Sequence, residues 1–278
     1  MALIKVSEIE KMADQANTSV IAFNCLDYST LRSVITVAEE LQTPVICMLY
    51  PEHATKYHWI TPRAFAGMVK EEAEKVSVPV GLHLDHCSDF NYILQAIKAG
   101  FPSVMYDGSM LPLEENIKNT KEISKAAHAF GADVEAELGH VGFAENTGDQ
   151  NDLDLFTKPE VAACFCEETQ CDALAVAIGS AHGFYKETPK LDIERLKEIN
   201  AAVETPLVLH GGSGIPADQL EMAFKEGINK FNVGTEFLWL LYESMKKYRG
   251  EDMHGMANEV QSILMDYLRN KLLLSKFH

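Results

Sequence analysis

Apolar and polar residues alternate along the chain in two repeating patterns. Short runs rich in apolar and β-branched residues predict strands, because such side chains suit a buried pleated sheet. Longer segments in which apolar residues recur every three or four positions predict helices with one buried face. The predicted strands cover residues 19–24, 44–50, 79–85, 103–108, 133–138, 173–178, 206–210 and 228–233. The predicted helical segments between them include residues 28–42, 62–76, 89–99, 114–129, 158–169, 191–202 and 216–226, besides an amphipathic N-terminal helix.

The order of these elements predicts the fold. A helical segment follows each predicted strand at near-regular spacing, and no long polar linker interrupts the series. A doubly wound sheet is the alternative, but eight regular strand–helix units favour a closed barrel. The sequence therefore predicts a single (β/α)8 TIM barrel domain over residues 1–278, with a helical extension at its C-terminus.

The longest segment without a clear period is residues 139–157, GHVGFAENTGDQNDLDLFT, directly after the fifth predicted strand. It is rich in Gly, Asn and Asp and is long for a connection between a strand and a helix. Long loops of this kind commonly close over a ligand or bind one. The sequence therefore predicts a binding loop or lid at this position.

The net charge limits the partners of the protein. There are 24 Lys and Arg against 41 Asp and Glu, a formal charge of −17, which disfavours broad contact with nucleic acid or an anionic membrane. No apolar run reaches transmembrane length, and the N-terminus lacks the apolar core of a signal peptide. The 6 cysteines are scattered, as is typical of reduced thiols. We therefore expect a cytoplasmic protein without nucleic-acid or membrane partners.

Polar residues interrupt the apolar strands mainly where each strand ends. In a (β/α)8 barrel the C-terminal strand ends meet at one face, which carries the active site. Isolated, any one of these residues would most simply be structural, but together they predict one polar site. The residues at or just after these ends are Asn24, Asp85, His86, Asp107, Glu135, Glu137, His182, His210 and Asn232.

Three of the histidines have the arrangement of metal ligands. His86, His182 and His210 follow predicted strands three, six and seven, and three imidazoles with one open position form a common catalytic zinc site. His83 alternates with leucines within its strand and is predicted to be a buried, hydrogen-bonded residue instead. His140 lies in the long loop, where solvent exposure is the simpler interpretation.

The sequence HGGSG at residues 210–214 predicts a second kind of site. Glycines let backbone N–H groups approach an anion, Ser213 can donate its hydroxyl, and the N-terminus of a helix follows. After strand seven of a barrel, with NVGT after strand eight, this loop is where barrels commonly bind phosphate. A metal, the Asp85 carboxylate and a bound phosphate suit proton transfer and C–C bond chemistry on a phosphorylated carbonyl compound.

These motifs resemble those of the class II, zinc-dependent ketose-bisphosphate aldolases, the fructose- and tagatose-bisphosphate aldolase family. The matching segments occur in family order between residue 22 and about residue 236. They are AFN, LHLDH, SVMYDGS, LPLEENI, VEAELG, DALAVAIGSAHGFYK, LVLHGGSGIP and INKFNVGTE. The resemblance implies a barrel that forms a homodimer or homotetramer. It also implies reversible cleavage of a ketose 1-phosphate to dihydroxyacetone phosphate and an aldehyde, through a metal-stabilised enediolate.

The resemblance also implies roles for single residues around the metal. Asp85 matches the residue that moves a proton to or from the C4 hydroxyl oxygen. Asp107 and Glu137 match a second or alternative metal site of some members. The residues that match the ligands of the catalytic Zn²⁺ are His86, His182 and His210.

Further residues match the substrate pocket. A monovalent cation, Na⁺ or K⁺, often lies beside the donor phosphate in this family. Glu145 falls in the loop where members carry an acid that handles the C3 proton, although the usual Gly-Gly pair is here Gly142 and Phe143. The predicted substrate-binding residues are Asn24, Gly183, Gly211, Gly212, Ser213, Asn232, Val233, Gly234 and Thr235.

Three departures from the family pattern concern the aldehyde half of the site. Gly234 stands where fructose-bisphosphate members have Asp, and tagatose-type members have a small residue there. Leu238 stands where fructose-type members have an Arg for the distal phosphate, and a small Ser is replaced near Tyr50. Loss of a guanidinium removes a strong phosphate ligand. Either the aldehyde is not plain glyceraldehyde 3-phosphate, or another cation, such as one from a neighbouring subunit, replaces the Arg.

Several alternatives follow from the same residues. The substrate could be a tagatose-type bisphosphate, a 6-sulfonated ketose 1-phosphate, a deoxy-keto-gluconate phosphate or a ketose 1-phosphate that yields an unphosphorylated aldehyde. In a different class, the chain could be a non-catalytic barrel partner of another aldolase subunit, which the intact Asp85 and histidines disfavour. A metal-dependent hydrolase would need a His-x-His pair on the first strand, where AFN stands. A Schiff-base aldolase would need a lysine, and only Lys230 lies near a strand end.

Overall fold

The computed structural model describes residues 3–139, 141, 156–185 and 188–277. Eight parallel strands are hydrogen-bonded in sequence order, and the last pairs with the first to close a barrel. The strands are β1 (Val20–Asn24), β2 (Val45–Leu49), β3 (Val80–Cys87), β4 (Ser103–Tyr106), β5 (Asp133–Leu138), β6 (Ala173–Val176), β7 (Leu207–Leu209) and β8 (Ile228–Val233). The predicted (β/α)8 barrel is therefore confirmed.

Helices cover the outside of the barrel. Those that follow strands 1 to 7 agree with the predicted segments, apart from the short α3. Its Pro51 suits the first turn, but five residues are too few for a helical period to show. The helices are α1 (Val6–Gln15), α2 (Tyr28–Glu40), α3 (Pro51–Thr55), α4 (Pro62–Ala73), α5 (Phe90–Ala99), α6 (Leu113–Ala129), α7 (Pro159–Thr169), α8 (Ile193–Ala202), α9 (Ala217–Lys225), α10 (Thr235–Lys247) and α11 (Met253–Leu272).

The predicted C-terminal extension is α11, which packs against α2 and α10. Its buried residues Val260, Leu264, Leu268 and Leu272 recur every four positions, so they form one apolar stripe along the helix. Within the part of the chain that the structure describes, no helix is long and apolar enough to cross a bilayer.

Local sequence sets where several helices begin. Asp27 accepts a hydrogen bond from the Thr30 backbone N–H at 2.8 Å, and the Thr30 hydroxyl accepts from the Asp27 N–H at 3.1 Å. Asp89 and Asp192 likewise accept from backbone N–H groups in the first turns of α5 and α8. Each cap satisfies donors that have no partner within the helix. An aspartate N-cap thus sets where α2, α5 and α8 begin.

The N-terminal helix closes the bottom of the barrel. Val6 and Ile9 of α1 are buried and face the inward side chains at the start of the first strands. This small apolar cluster is separate from the main core between strands and helices. The inward members contributed by the strands are Val20, Ala22, Ile46 and Met48.

Inward positions change from apolar to polar along the strands. Because successive side chains of a strand face opposite sides, every second residue of β3 points into the barrel. Gly81 lies over the apolar cluster, His83 is buried one layer higher, and Asp85 lies at the upper end. The site therefore stands on a dry, packed interior rather than on flexible surface loops.

We expect Gly81→Ala to destabilise the protein by about 1–3 kcal/mol, the usual cost of overpacking a core. An added Cβ would lie 2.8 Å from Ile46 Cγ1 and 3.1 Å from Val6 Cγ2. Gly67→Ala is the matched control, because Gly67 lies within α4 with nothing within 4 Å of the added atom. The control should raise stability by roughly 0.5–1 kcal/mol, since Ala favours helix over Gly. Chemical denaturation measures both changes, and equal effects of the two variants would contradict this view of the interior.

Candidate active site

The polar strand ends surround a cavity of about 430 Å³ at the C-terminal face of the barrel. Asp85 is buried in its lining, and His86 and His182 are partly exposed there, whereas His210 is fully buried behind the lining. The described residues that line it are Asn24, Tyr50, His53, Asp85, His86, Asp107, Ser109, Met110, Glu137, Val141, His182, Gly183, Gly211, Gly212, Ser213, Asn232, Gly234, Thr235 and Leu238.

A bulge in β3 lets two consecutive residues reach this cavity. On a regular strand Asp85 and His86 would face opposite sides. The pairing of β3 with β4 shifts register between Leu84 and Cys87, and His86 has a positive φ of 38°. Bulges often redirect a side chain in this way, and backbone strain of this kind is found mainly at functional sites. Both Asp85 and His86 consequently line the site.

Two amides hold the Asp85 carboxylate. The Asn24 side chain donates to Asp85 Oδ2 at 2.9 Å, and the Asn232 side chain donates to Oδ1 at 3.1 Å. Burial favours the neutral acid, but the nearby imidazoles of His86 and His210 outweigh it and lower the pKa of Asp85. The carboxylate is therefore ionised, and its orientation is fixed from two sides.

The three predicted histidines converge in the centre of the cavity. The rings of His86 and His210 have centroids 4.5 Å apart, and those of His86 and His182 are 4.8 Å apart. One nitrogen from each ring lies within 4.8 Å of the others, so the three could hold one metal ion. His86, Asp107 and Glu137 form a second such group, which shares His86 with the first.

Two buried atoms in these groups favour a bound cation. Glu137 Oε2 and His210 Nδ1 lie 3.1 Å apart, yet neither makes a hydrogen bond within the described part of the chain. When His210 is neutral with its proton on Nε2, both atoms are electron-pair donors, and a cation between them would stabilise the contact. The donor set of imidazoles and carboxylates suits a divalent metal such as zinc.

The surroundings shift the pKa values of His182 and His86 in opposite directions. Burial lowers the pKa of His182 to about 3, together with repulsion from the other two imidazoles. Burial also opposes the charge on His86, but the carboxylates of Asp85 and Asp107 overcome it and raise the pKa to about 10. Asp107 Oδ2 lies 2.9 Å from His86 Nδ1, and the other oxygen accepts from the Ser109 hydroxyl at 2.7 Å. Asp107 therefore fixes the His86 ring.

A buried ion pair below the cavity was not assigned a function from the sequence. His210 Nε2 lies 2.8 Å from Glu135 Oε1, and Lys230 Nζ lies 2.7 Å from Glu135 Oε2. His83 Nδ1 bonds to the Ser103 hydroxyl at 2.8 Å, and His83 is fully buried, as predicted. An ionised carboxylate only accepts hydrogen bonds, so Glu135 keeps the proton of His210 on Nε2 and leaves Nδ1 facing Glu137. The sequence indicated the inward position of Glu135 only through its spacing of two residues from Glu137, because alternate residues of a strand face the same side.

The loop after β7 exposes backbone atoms to the cavity. Gly211 has a φ of 67°, and a Cβ there would lie 2.5 Å from the Ala181 backbone, so only glycine fits. The Tyr185 hydroxyl accepts from the Ala181 N–H at 2.6 Å and donates to the Gly211 carbonyl at 2.8 Å. Tyr185 thereby joins the loops after β6 and β7. Ser213 Oγ accepts from the Glu236 N–H at 3.1 Å, which leaves the hydroxyl proton for a ligand.

The positions that depart from the family pattern also lie at the cavity. A Cβ at Gly234 would lie 2.5 Å from Asn24 Oδ1, so an aspartate at 234 would displace the amide that holds Asp85. Leu238 follows one turn later on α10 and lines the wall with its apolar side chain. Gly234 and the position of Asn24 therefore depend on each other.

Most predicted site residues line this cavity, and among the described ones two do not: His210, which is fully buried behind the lining, and Val233. The Val233 side chain packs in the main core instead of lining the cavity, because alternation along β8 turns it away from Asn232. Only the backbone of Val233 is thus available to a ligand. Glu145 and His140 lie outside the described residues.

Known proteins show the same sequence pattern and fold. The family model described as fructose-bisphosphate aldolase class-II matches residues 4–274. The YdjI aldolase of Escherichia coli K12 is 33% identical, with a TM-score of 0.88 over 99% of this chain and 97% of that one. A putative fructose-1,6-biphosphate aldolase of Coccidioides immitis is 26% identical, with a TM-score of 0.88 over 98% and 96% of the two chains. The fructose-bisphosphate aldolase of Campylobacter jejuni, at 23% identity, shares the fold, with a TM-score of 0.80 over 99% and 95%.

The chain therefore belongs to the class II fructose-bisphosphate aldolase family. It is a lyase of the aldolase type that acts on a phosphorylated sugar.

We expect Glu135→Gln to weaken the binding of a divalent metal at the histidine cluster by about 10–100-fold, the usual effect of losing a partner that orients a ligand. The amide cannot hold the His210 proton as the carboxylate does, and it leaves Lys230 without its charge partner. Competition against a chromophoric chelator measures the affinity. Glu10→Gln is the matched control, since Glu10 is equally buried in the barrel and makes no described contact with His210. Equal affinities of the two variants would contradict this role.

Proposed function

We propose that the protein is a zinc-dependent aldolase that reversibly cleaves a ketose 1-phosphate to dihydroxyacetone phosphate and an aldehyde. The observation that carries this proposal is the cluster of His86, His182 and His210 beside an ionised Asp85. The glycine-rich loop after β7 begins directly after His210 and lines the same cavity. Family membership supports aldol cleavage, and the cluster supports the metal-dependent form of that reaction.

The three histidines would hold the metal, with Asp107 and Glu137 as an alternative set around His86. Zinc bound there would act as a Lewis acid that polarises the carbonyl group of the substrate. The residues of the chain determine its position. Asp107 orients His86, and Glu135 orients His210.

Asp85 is proposed to move the proton of the C4 hydroxyl group. In cleavage the ionised carboxylate takes this proton as the bond between C3 and C4 breaks, and in condensation it returns the proton to the aldehyde oxygen. The amides of Asn24 and Asn232 keep both carboxylate oxygens in place for this transfer. Glu145 remains the residue predicted to handle the C3 proton.

The donor phosphate is proposed to bind at the loops after β7 and β8. Gly211, Gly212, Ser213 and Thr235 line the cavity together, and the N-terminal turn of α10 begins at Thr235. Backbone N–H groups and a helix N-terminus bind phosphate without a lysine or arginine. This explains how a chain of net charge −17 can bind a dianion. A monovalent cation beside the phosphate remains a prediction.

The distal end of the substrate is proposed to differ from that of fructose 1,6-bisphosphate. Leu238 cannot pair with a second phosphate, and Gly234 cannot contact the sugar with a carboxylate. A site that lacks a polar partner for its substrate loses much of its selectivity for that substrate. Fructose 1,6-bisphosphate should therefore be a poor substrate. The homodimer or homotetramer and the cytoplasmic location also remain predictions.

Removal of the metal should abolish cleavage. We expect purified protein with zinc to release dihydroxyacetone phosphate from a ketose 1-phosphate, and we expect the rate to fall to background after dialysis against EDTA and to return on adding Zn²⁺. A coupled dehydrogenase assay measures the release, and elemental analysis measures about one zinc per chain. Activity that survives in protein shown to be free of metal would exclude the class II mechanism, and borohydride trapping would then test Lys230 for a Schiff base.

Asp85→Ala should lower kcat by about 10²–10⁴, the usual contribution of a positioned acid or base. The zinc content should stay near that of the wild type, because Asp85 is not among the grouped metal ligands. His182→Ala is the contrasting variant and should lose metal affinity as well as turnover. Steady-state kinetics and elemental analysis of both variants check this difference. Near-normal turnover of Asp85→Ala would remove the carboxylate from the mechanism.

A further inference from the structure

Five residues of the cavity lining contribute neither to the histidine cluster nor to the phosphate loops. They follow four different strands, and together we call them the acceptor wall: Tyr50, His53, Met110, Val141 and Leu238. Tyr50 and His53 come from the segment after β2, three positions around the barrel from β7. The charge of Asp85 acts on both side chains. Because Asp85 is proposed to act at C4, the wall beside it faces the aldehyde half of the substrate.

His53 is the more deeply buried of the two residues of this wall that carry a polar group. It is 7% exposed, and its Nδ1 atom is buried and makes no hydrogen bond within the described residues. A polar atom that loses water without gaining a partner costs about 1–3 kcal/mol. Because Nδ1 is closed to the cavity, a ligand hydroxyl would bond to Nε2, the other ring nitrogen of this cavity-lining residue.

The protein fixes the His53 ring in place. The His53 N–H donates to the Tyr50 carbonyl at 3.1 Å, and its own carbonyl accepts from the Trp59 N–H at 2.9 Å. The Tyr50 ring contacts the imidazole edge to face at 5.5 Å between centroids, and the Trp59 ring lies at 5.6 Å. The imidazole is therefore held on both sides before any ligand binds.

The charges around the wall disfavour an anionic tail. Burial lowers the pKa of His53, so the ring is neutral at neutral pH. The described cavity lining contains the carboxylates of Asp85, Asp107 and Glu137, and it contains no lysine or arginine. A second phosphate or a carboxylate would lose its hydration here without a guanidinium or ammonium partner. A neutral imidazole, in contrast, exchanges hydrogen bonds readily with a hydroxyl group.

We propose that the acceptor wall binds an uncharged, hydroxylated aldehyde, with His53 hydrogen-bonded to a hydroxyl of its tail and Leu238 packed against its carbon chain. The corresponding cleavage substrate is a ketose 1-phosphate without a second phosphate. This inference rests on the proposed aldolase function of the same site, and it narrows that function to one class of aldehyde.

The test is aldol condensation of dihydroxyacetone phosphate with four aldehydes by the zinc-loaded protein. They are glyceraldehyde, glyceraldehyde 3-phosphate, succinic semialdehyde and propanal, which differ in tail hydroxyl and charge. Mass spectrometry and NMR identify the products, and kcat/KM is compared. We expect glyceraldehyde to exceed propanal by about ten-fold, the value of one hydrogen bond of about 1.4 kcal/mol. We expect it also to exceed the two charged aldehydes, because their anionic tails would lose hydration without a cationic partner.

Variants of the wall test the named contacts. His53→Leu should lower the ratio of kcat/KM for glyceraldehyde over propanal by about ten-fold, and His53→Gln, which can still bond to a hydroxyl, should lose less. His254→Leu is the matched control, because its side chain is 99% exposed on α11, and it should leave the ratio unchanged. Leu238→Arg should raise the relative kcat/KM for glyceraldehyde 3-phosphate. This gain does not depend on whether His53→Leu folds.

The outcomes separate this inference from the aldolase function. Exchange of the C3 proton of dihydroxyacetone phosphate in D₂O reports the donor half alone. No exchange and no condensation would mean that the proposed aldolase function is wrong. Exchange with a preference for glyceraldehyde 3-phosphate or succinic semialdehyde would overturn the neutral tail while the aldolase function stands. Equal losses for glyceraldehyde and propanal in His53→Leu would overturn the role of His53.

Discussion

The buried contact of Glu135 with both Lys230 and His210 is the interaction on which the site depends most. All three side chains lie inside the barrel at 1% exposure or less. A carboxylate in such a place is stable only with a partner charge, which Lys230 provides at 2.7 Å. The other oxygen then fixes the proton of His210 on Nε2, so its second nitrogen, Nδ1, is left to face Glu137. Removing either partner would leave a charge buried without compensation.

A bulge in one strand decides which atoms meet at the upper end of the barrel. Without the shift in β3, Asp85 or His86 would point into the helical layer. With it, the carboxylate proposed to move protons lies directly beside an imidazole proposed to bind metal. Asn24 and Asn232 then hold Asp85 from two neighbouring strands. The strained backbone of His86 is thus compensated by a network of contacts around it.

The two halves of the cavity use different chemistry. The side proposed to bind phosphate is built largely of backbone, where Gly211 has no room for a side chain and Tyr185 joins two loops. The acceptor wall is built of side chains such as His53 and Leu238. Side chains can be exchanged with little change in the fold, whereas a backbone loop of this kind cannot. Under the proposed function, the same barrel could therefore keep the donor half of the reaction and change the aldehyde.

The sequence by itself determined the barrel and most of the residues around its cavity. Strand and helix periods are local, and closure of parallel strands brings their polar C-terminal ends to one face. Only the tertiary structure decided which side chains touch. Glu135 lies 75 residues from His210 and 95 from Lys230, and periodicity does not encode strand register or the bulge at His86. The tertiary structure also directs the Val233 side chain into the core and places His53 in the cavity wall. Side-chain direction depends on neighbours that only folding brings together.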